Sequence, residues 1–156
     1  MPGYRAHVVG GLAVYGITLY LLRSQCGSVF LAAEWLLFAL AGSLFPDIDT
    51  QSKAQKIFYH ILLVMLIILA IQRKFLMMGV VGIAAMIPII ARHRGLFHRP
   101  WFVIGFPSAV AAAIGLYAPA YARIIFFDAL FFIVGALSHL FLDRFFTTCK
   151  MKRKRA

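Results

Sequence analysis

Carboxylates and imidazoles gather at the ends of the strongly apolar stretches of this 156-residue chain. Three of its five acidic residues lie within four positions of a histidine or of one another. Such groups are costly at membrane depth, so when they cluster they commonly share a metal ion or a proton. The candidate metal ligands are His7, Asp47, Asp49, His93, His98, His139 and Asp143.

The spacing within two of the motifs favours a shared ion. His139 and Asp143 are four residues apart, which places them one turn from each other on the same face of a helix. They can bind one ion, or one can bind while the other orients it. Gly95 lies between His93 and His98 and lets the backbone bend, so that the two imidazoles can converge.

A third motif is the turn that follows the second apolar stretch. Pro46 ends that stretch and releases Asp47 and Asp49 into a turn, where alternate carboxylates can point at a common centre. Mixed His and Asp ligands suit Zn²⁺, and also Mn²⁺ or Fe²⁺, better than Ca²⁺ or Mg²⁺. Seven candidates exceed the needs of one tetrahedral ion, so two ions, or one ion with supporting carboxylates, are both open.

Each motif alone also has a plainer interpretation. His7 could be an interfacial histidine, and the carboxylates of 46–49 could cap the following helix. Residues 93–98 could form a basic loop that faces lipid headgroups, and the pair in 139–143 could make a hydrogen bond within its helix. The occurrence of all four motifs in one short chain favours the metal site.

The amino-acid composition indicates whether these motifs lie in a soluble protein or in a membrane protein. Apolar residues make up 63% of the chain and charged residues 13%, against about half and about a quarter in soluble domains. This indicates an integral membrane protein. The length allows several helices of about 20 residues and no separate soluble domain. The fold class predicted is all-α, a polytopic membrane helix bundle.

Breaks in hydrophobicity divide the chain into six predicted membrane spans. Residues 1–145 form a single transmembrane domain with an interfacial metal site, and 146–156 form a basic cytoplasmic tail. No cleavage site typical of a signal peptide follows the first apolar run, so that span is expected to remain. The predicted spans are about 7–23, 28–45, 57–72, 75–91, 100–118 and 124–142.

The basic residues predict the orientation, because loops rich in Lys and Arg tend to stay in the cytoplasm. With the N-terminus inside, four basic residues face outward: Arg23, Arg73, Lys74 and Arg123. Twelve face the cytoplasm: Arg5, Lys53, Lys56, Arg92, Arg94, Arg99, Arg144, Lys150, Lys152, Arg153, Lys154 and Arg155. Both termini are therefore predicted to be cytoplasmic. The same topology puts all the candidate metal ligands at the cytoplasmic interface.

The motifs, taken in order, resemble a known family. Residues 42–49 read Gly-Ser-Leu-Phe-Pro-Asp-Ile-Asp, 93–98 read His-Arg-Gly-Leu-Phe-His, and 138–143 read Ser-His-Leu-Phe-Leu-Asp, after an early His7. This pattern resembles the YdjM-like family of membrane-bound metal-dependent hydrolases, over nearly the whole chain. That family is distantly similar to zinc-dependent phospholipase C and P1 nuclease. The resemblance implies a metal-assisted hydrolase of a phosphate-containing substrate.

The chain departs from the family pattern at one motif. Where the family often has His-Arg-Gly-x-Thr-His-Ser, this chain has Phe97 and Arg99 in place of the two hydroxyl residues. The substrate, or its mode of contact, is therefore expected to differ.

The hydrolase hypothesis assigns roles to residues beside the ligands. Asp49 is the first candidate for the base that accepts a proton from water. Arg94, Arg99 and Arg144 are candidates for binding substrate, because guanidinium groups match phosphate oxygens in a bidentate manner. A site at the interface reaches a headgroup without extracting the lipid, so a phospholipid or polyprenyl phosphate is the substrate class expected.

Other partners and functions follow less directly. The basic tail could attract anionic lipids, no nucleic-acid partner is expected, and the oligomeric state is open. The location expected is the bacterial inner membrane, with the site facing the cytoplasm. The alternative function is a transport or metal-handling protein that uses the same cluster for binding. Transporters usually bind near the midplane between repeats, and no internal repeat is visible, so an enzyme is favoured.

Three further ionisable residues lie in the predicted spans. Glu34 and Asp128 are assigned packing or hydrogen-bonding roles, with a proton or substrate path as the alternative. His60 could supplement the metal site. Small residues predict where helices approach closely: Gly79, Gly82, Ala84, Ala85 and the run 109–113.

Overall fold

The computed structural model describes residues 4–47, 53–90 and 97–153, and within these ranges all side chains except those of 53–54, 84, 87–90 and 147–153. The described ranges hold six α-helices and no strand, which confirms the all-α prediction. The helices are α1 (Tyr4–Leu21), α2 (Val29–Leu44), α3 (Lys53–Ile71), α4 (Phe75–Ile90), α5 (Pro100–Tyr117) and α6 (Ala122–Arg153).

Local sequence explains where these helices begin and end. The Ser28 side chain caps α2 by accepting a hydrogen bond of 3.1 Å from the backbone N–H of Leu31. Pro100 is the first residue of α5, a position where its missing N–H is not needed. Helix α2 ends just before Pro46, in a single 3₁₀ turn over Phe45–Asp47. The predicted break at this proline is confirmed.

Helix α6 is longer than its predicted span. The apolar run ends near residue 142, but the helix continues to Arg153, into the segment predicted as a separate basic tail. No proline or glycine follows Gly135 before that point. Basic residues near a helix C-terminus also interact favourably with the helix dipole, which helps the helix to continue.

Fewer helices than predicted are long and apolar enough to cross a membrane. Within the described residues three segments qualify, namely Val29–Asp47, Pro100–Tyr117 and Pro119–Phe146, so the prediction of six spans is corrected. Helix α1 carries Arg5 and a histidine, α4 has only 16 residues, and the apolar part of α3 is short. Large apolar side chains are nevertheless exposed on the bundle, as expected of a surface that faces lipid.

Helices α2 and α6 form the centre of the bundle. Helix α1 packs on both of them, α3 packs on α2, α4 packs on α3, and α5 packs on α6. The central pair is close because it has glycine at both crossing points. A Cβ atom on Gly42 would overlap the carbonyl of Phe132, and one on Gly135 would overlap the carbonyl of Ala39. Helix α6, which carries His139 and Asp143, is thus packed closely against α2, which leads into the turn with Asp47.

Candidate metal centre

Helix α6 contributes two of the candidate ligands. His139 is fully buried, and its Nε2 lies 3.5 Å from Oδ2 of Asp143, one turn further along the helix. The predicted common face is confirmed for this pair. The carboxylate is partly exposed, with 18% of its side-chain surface accessible, so the pair lies at the boundary of the protein interior.

A backbone carbonyl of α2 orients the ring of His139. Its Nδ1 donates a hydrogen bond of 2.8 Å to the carbonyl oxygen of Ser43, which lies in the last turn of α2. Carbonyls in the last turn of a helix have no partner within the helix, and this imidazole supplies one. With the proton on Nδ1, Nε2 carries a lone pair, as a metal-binding histidine requires. That buried Nε2 has no hydrogen-bond partner among the described residues.

The 3₁₀ turn after α2 brings Asp47 to the same centre. Its Oδ1 lies 3.7 Å from Nε2 of His139 and 3.6 Å from Nε2 of His98. His98 lies just before α5, and its Nε2 is also 3.8 Å from Oδ2 of Asp143. Its ring packs edge-on against the ring of His139, with the ring centres 5.6 Å apart.

Helix α1 adds His7. Its ring stacks on that of His139 at 3.7 Å between ring centres and an angle of 16°. Its Nε2 lies 3.6 Å from Oδ1 of Asp143. This approach depends on Gly11, one turn later, because a Cβ there would come within 2.7 Å of the Ser43 hydroxyl. Four segments of the chain therefore meet at one end of the bundle.

These side chains make two overlapping sets of three, joined through His139. One set is His7, His139 and Asp143, and the other is Asp47, His98 and His139. Within each set the candidate ligand atoms lie within 4.8 Å of one another. The arrangement is compatible with one ion or with two, so the alternatives from the sequence stay open.

The distances indicate what the cluster can bind. The five nitrogen–oxygen separations run from 3.5 to 3.8 Å, longer than ordinary hydrogen bonds of about 2.7–3.2 Å. Two ligands of a tetrahedral zinc ion, each about 2.0–2.1 Å from the metal, are about 3.3 Å apart. The donor set of imidazole nitrogens and carboxylate oxygens therefore fits a divalent cation of the zinc class.

The structure brings together five of the seven predicted ligands. Asp49 and His93, and also Arg94, lie outside the described residues, so their assignments stay predictions. Arg99 and Arg144 are exposed beside ligands at this end of the bundle. Arg99 directly precedes α5, and Arg144 follows Asp143 on α6.

The other ionisable residues in the helices lie elsewhere. His60 is exposed, with Nδ1 2.6 Å from the carbonyl oxygen of Lys56, and it does not join the described cluster. Glu34 is fully buried and makes an ion pair with Lys74, with Nζ 2.6 Å from Oε2. Asp128 is 2% exposed, and neither carboxylate oxygen has a hydrogen-bond partner among the described residues.

Sequence reasoning missed two of these contacts. It did not identify the Ser43 carbonyl as the group that orients His139, although Pro46 signals a helix end with unpaired carbonyls nearby. It also assigned Lys74 only to a side of the membrane and did not predict that its side chain reaches Glu34. No local pattern distinguishes a lysine that faces solvent from one that reaches a buried carboxylate forty residues away.

Comparisons with known proteins agree with the residue pattern. The sequence model of the family described as YdjM inner membrane protein matches residues 1–149, a range that contains all the candidate ligands. The chain matches no curated protein and no solved structure.

Proposed function

Because this chain belongs to the YdjM inner membrane protein family, we propose that its His/Asp cluster is the active site of a membrane-embedded, metal-dependent hydrolase. The reaction proposed is cleavage of a phosphoester in a lipid or lipid-linked substrate, at the cytoplasmic interface. The ion proposed is Zn²⁺ first, with Mn²⁺ or Fe²⁺ as alternatives and a stoichiometry of one or two.

One observation carries this proposal. Five His and Asp side chains from four separate segments converge with nitrogen–oxygen distances of 3.5 to 3.8 Å. Direct hydrogen bonds would bring these atoms closer. Buried imidazoles stacked beside two carboxylates have little purpose in simple packing, because apolar residues would fill the same space at lower desolvation cost. Room for a cation between the ligands explains both the spacing and the residue types.

Contacts within the protein position the His and Asp side chains of the cluster. A divalent cation held by these ligands would act as a Lewis acid, which would polarise a phosphoryl oxygen and make a bound water more acidic. The Ser43 carbonyl fixes the tautomer of His139 and directs Nε2 into the cluster. The stacked ring of His7 restricts the rotation of its neighbour. Close packing of α2 on α6 then holds Asp47 in a fixed position relative to both.

Charged side chains at the rim fit a phosphate-bearing substrate. Arg99 and Arg144 are exposed beside His98 and Asp143, where bidentate hydrogen bonds to phosphate oxygens would hold a headgroup against the centre. Arg94 is proposed for the same role. Asp49, two residues beyond Asp47, remains the proposed base that accepts a proton from the attacking water.

Two arguments support an interfacial location. The ligands lie at the start of α1, after α2, before α5 and late in α6, and successive antiparallel helices bring these points to one end of the bundle. The excess of basic residues at that end favours the cytoplasmic side. A centre in this position meets lipid headgroups directly and needs no soluble substrate.

The deciding experiment combines metal content with turnover. The protein is purified in detergent, its metals are counted by mass spectrometry, and release of phosphate or headgroup is measured on a panel of phospholipids and polyprenyl phosphates. We expect about one or two divalent ions per chain, turnover of at least one lipid, and loss of turnover on chelation with recovery when Zn²⁺ is returned.

Two results would contradict the hydrolase. A protein that contains no bound divalent ion, even after incubation with Zn²⁺, would remove the basis of the site. Bound metal without turnover of any lipid on the panel would instead favour a metal-handling protein that uses the same ligands.

A further inference from the structure

An apolar cavity of about 110 Å³ lies inside the bundle, between α2, α3, α4, α5 and α6. Its lining residues are apolar except for Asp128. The volume is of the order of a cavity of about 150 Å³ that stays dry and binds benzene in another protein. A polar ligand finds few partners here, whereas a hydrocarbon group can replace the empty space.

The cavity begins directly behind the metal centre. Phe45 lines it and is two residues before Asp47. The ring of Phe45 packs edge-on against Phe97 at 5.2 Å, and Phe97 is adjacent to His98. Both rings are buried, with 4% and 0% of their surface exposed. Only a layer of aromatic side chains therefore separates the cavity from the ligands.

The cavity extends along the helices for about two turns. Its lining on α6 runs from Ile125 to Phe132, and on α5 from Phe106 to Ile114. At the rise of an α-helix these segments are about 10 and 12 Å long. This extent is enough for several methylene groups of a chain that runs along the bundle axis, which is the average direction of lipid chains in a bilayer.

The packing of the helices suggests a lateral entrance. Helices α4 and α5 both line the cavity, but α4 packs chiefly on α3 and α5 chiefly on α6. Among the described residues, α4 and α5 therefore contact each other less than each contacts its main neighbour. Exposed apolar side chains lie on both helices, including Ile83 on α4 and Ile104 on α5. In a membrane these side chains face lipid.

We propose that the cavity holds the hydrocarbon chain of a membrane lipid, whose phosphate headgroup reaches the His/Asp centre. The hydrocarbon chain enters laterally between α4 and α5. The part of the lipid that lies outside the cavity stays in the bilayer. The identity of the headgroup rests on the proposed function. Binding of the hydrocarbon chain depends only on the shape and chemistry of the cavity, so it is tested separately.

The test fills the cavity and leaves the metal ligands unchanged. Ala111 lines the cavity on α5, whereas the neighbouring Ala112 is exposed and does not line it. Ala111→Phe is compared with Ala112→Phe, and Ala85→Phe fills the cavity from α4. Each protein is purified in the same detergent, and the phospholipid retained per chain is counted by native mass spectrometry.

We expect wild type and Ala112→Phe to retain lipid equally. Ala111→Phe and Ala85→Phe should each retain about tenfold less, the change expected when about two methylene groups lose their buried site. Equal midpoints of thermal unfolding in detergent in all four proteins show that the variants fold, whether or not metal is bound. Retained lipid that is equal in filled and control variants would overturn the inference, as would a wild-type protein that retains none.

The outcomes also separate this inference from the proposed function. Cavity-dependent lipid retention by a protein without phosphoester turnover would keep the lipid site and reject the hydrolase. Turnover that is the same in Ala111→Phe and Ala112→Phe, for substrates of short and long chains alike, would keep the hydrolase and reject the cavity as the place for the chain.

Discussion

Two regions of this bundle bury carboxylates, and they treat them differently. At one end, Asp47 and Asp143 face imidazoles across gaps of 3.5 to 3.8 Å. Deeper in the bundle, Glu34 makes a direct contact of 2.6 Å with an ammonium group, that of Lys74. The buried carboxylate of Asp128 experiences the charges of this pair. The regions are well separated, since Asp128 and His139 are eleven residues, or about 16 Å, apart on α6.

The difference indicates how a candidate metal site can be distinguished from an ion pair. An ammonium group supplies its own positive charge and its own protons, so Glu34 and Lys74 close on each other and leave no room between them. Neutral imidazole and carboxylate groups both offer lone pairs, and they remain spaced around a point where a cation fits. We therefore expect metal to bind at the first region only. Removing a single ligand there should lower the metal content, whereas removing one partner of the ion pair in the second region should lower the stability and leave the metal content unchanged.

The largest effect is expected from removing a metal ligand. Asp47→Ala and His139→Ala should each lower bound metal and abolish detectable turnover, a loss of at least about 10²–10³-fold, because several kcal/mol of electrostatic stabilisation disappear. Metal content and lipid hydrolysis are measured on each purified protein.

Asp128→Ala is the control, since it removes a carboxylate that is more deeply buried in the same bundle. It should keep its full metal content. Equal metal loading of Asp47→Ala, His139→Ala and Asp128→Ala would remove the distinction between the two regions.

The next effect concerns stability in the second region. Lys74→Met leaves Glu34 buried without its partner, and we expect the free energy of unfolding to fall by about 3 kcal/mol or more. Metal content should not change. Thermal unfolding in detergent measures the loss.

The double variant Glu34→Met, Lys74→Met sharpens this test. Replacing both members of a buried ion pair with apolar residues is commonly neutral, so the stability should return close to that of the wild type. A double variant as unstable as Lys74→Met would show that the pair is not the origin of the loss.

A smaller effect is expected from a substitution at the crossing of α2 and α6, the two helices that connect the two regions. Gly42→Ala places a methyl group against the Phe132 carbonyl, and overpacking of this kind costs about 1–3 kcal/mol. Because α2 also carries the Ser43 carbonyl and Asp47, metal affinity should fall along with stability. Both quantities are measured on the same preparation.

Gly82→Ala, in the interior of α4, is the control for that crossing. A Cβ there meets nothing within 4 Å, so stability should be unchanged or rise by up to about 1 kcal/mol. Similar destabilisation of Gly42→Ala and Gly82→Ala would mean that the close approach of α2 to α6 is not what the glycine provides.

The smallest effect is expected at the rim of the metal centre. Arg99→Gln should raise KM for a phosphorylated lipid by about tenfold or less, since one exposed charge-assisted hydrogen bond is lost. Bound metal and kcat should change little. Arg23→Gln, an exposed arginine at the other end of the bundle, should leave KM unaltered, and an equal rise in both variants would indicate a general effect of charge.

Much of the architecture could be predicted from hydrophobicity and helix breakers. The edges of α5 and the end of α2 follow from prolines, and α6 is longer than predicted because the apolar run ends before any residue that stops a helix. Within the described residues fewer helices qualify as membrane spans than the six predicted, because an apolar stretch can make a helix without being long and apolar enough to cross a bilayer. Hydrophobicity indicates that a segment avoids water. It does not distinguish a helix that crosses the bilayer from a shorter apolar helix.

Close contacts between helices were harder to predict. Gly79 and Gly82 were predicted as sites of close approach, but a Cβ on either meets nothing within 4 Å, while Gly42 and Gly135 form the actual crossing. Small residues permit two helices to approach closely, but they do not determine which helices do so. Which helix faces are in contact depends on the packing of every other helix in the bundle.

The sequence by itself determined the residue types of the candidate metal centre, their positions at helix ends, and the four-residue spacing of His139 and Asp143, because these depend on composition and on the period of one helix. Only the tertiary structure decided that His7 stacks on His139, that the Ser43 carbonyl fixes its tautomer, and that Lys74 turns inward to Glu34. Those contacts join groups between 40 and 132 residues apart along the chain, and distances of that kind are set by how helices pack, which no local pattern encodes.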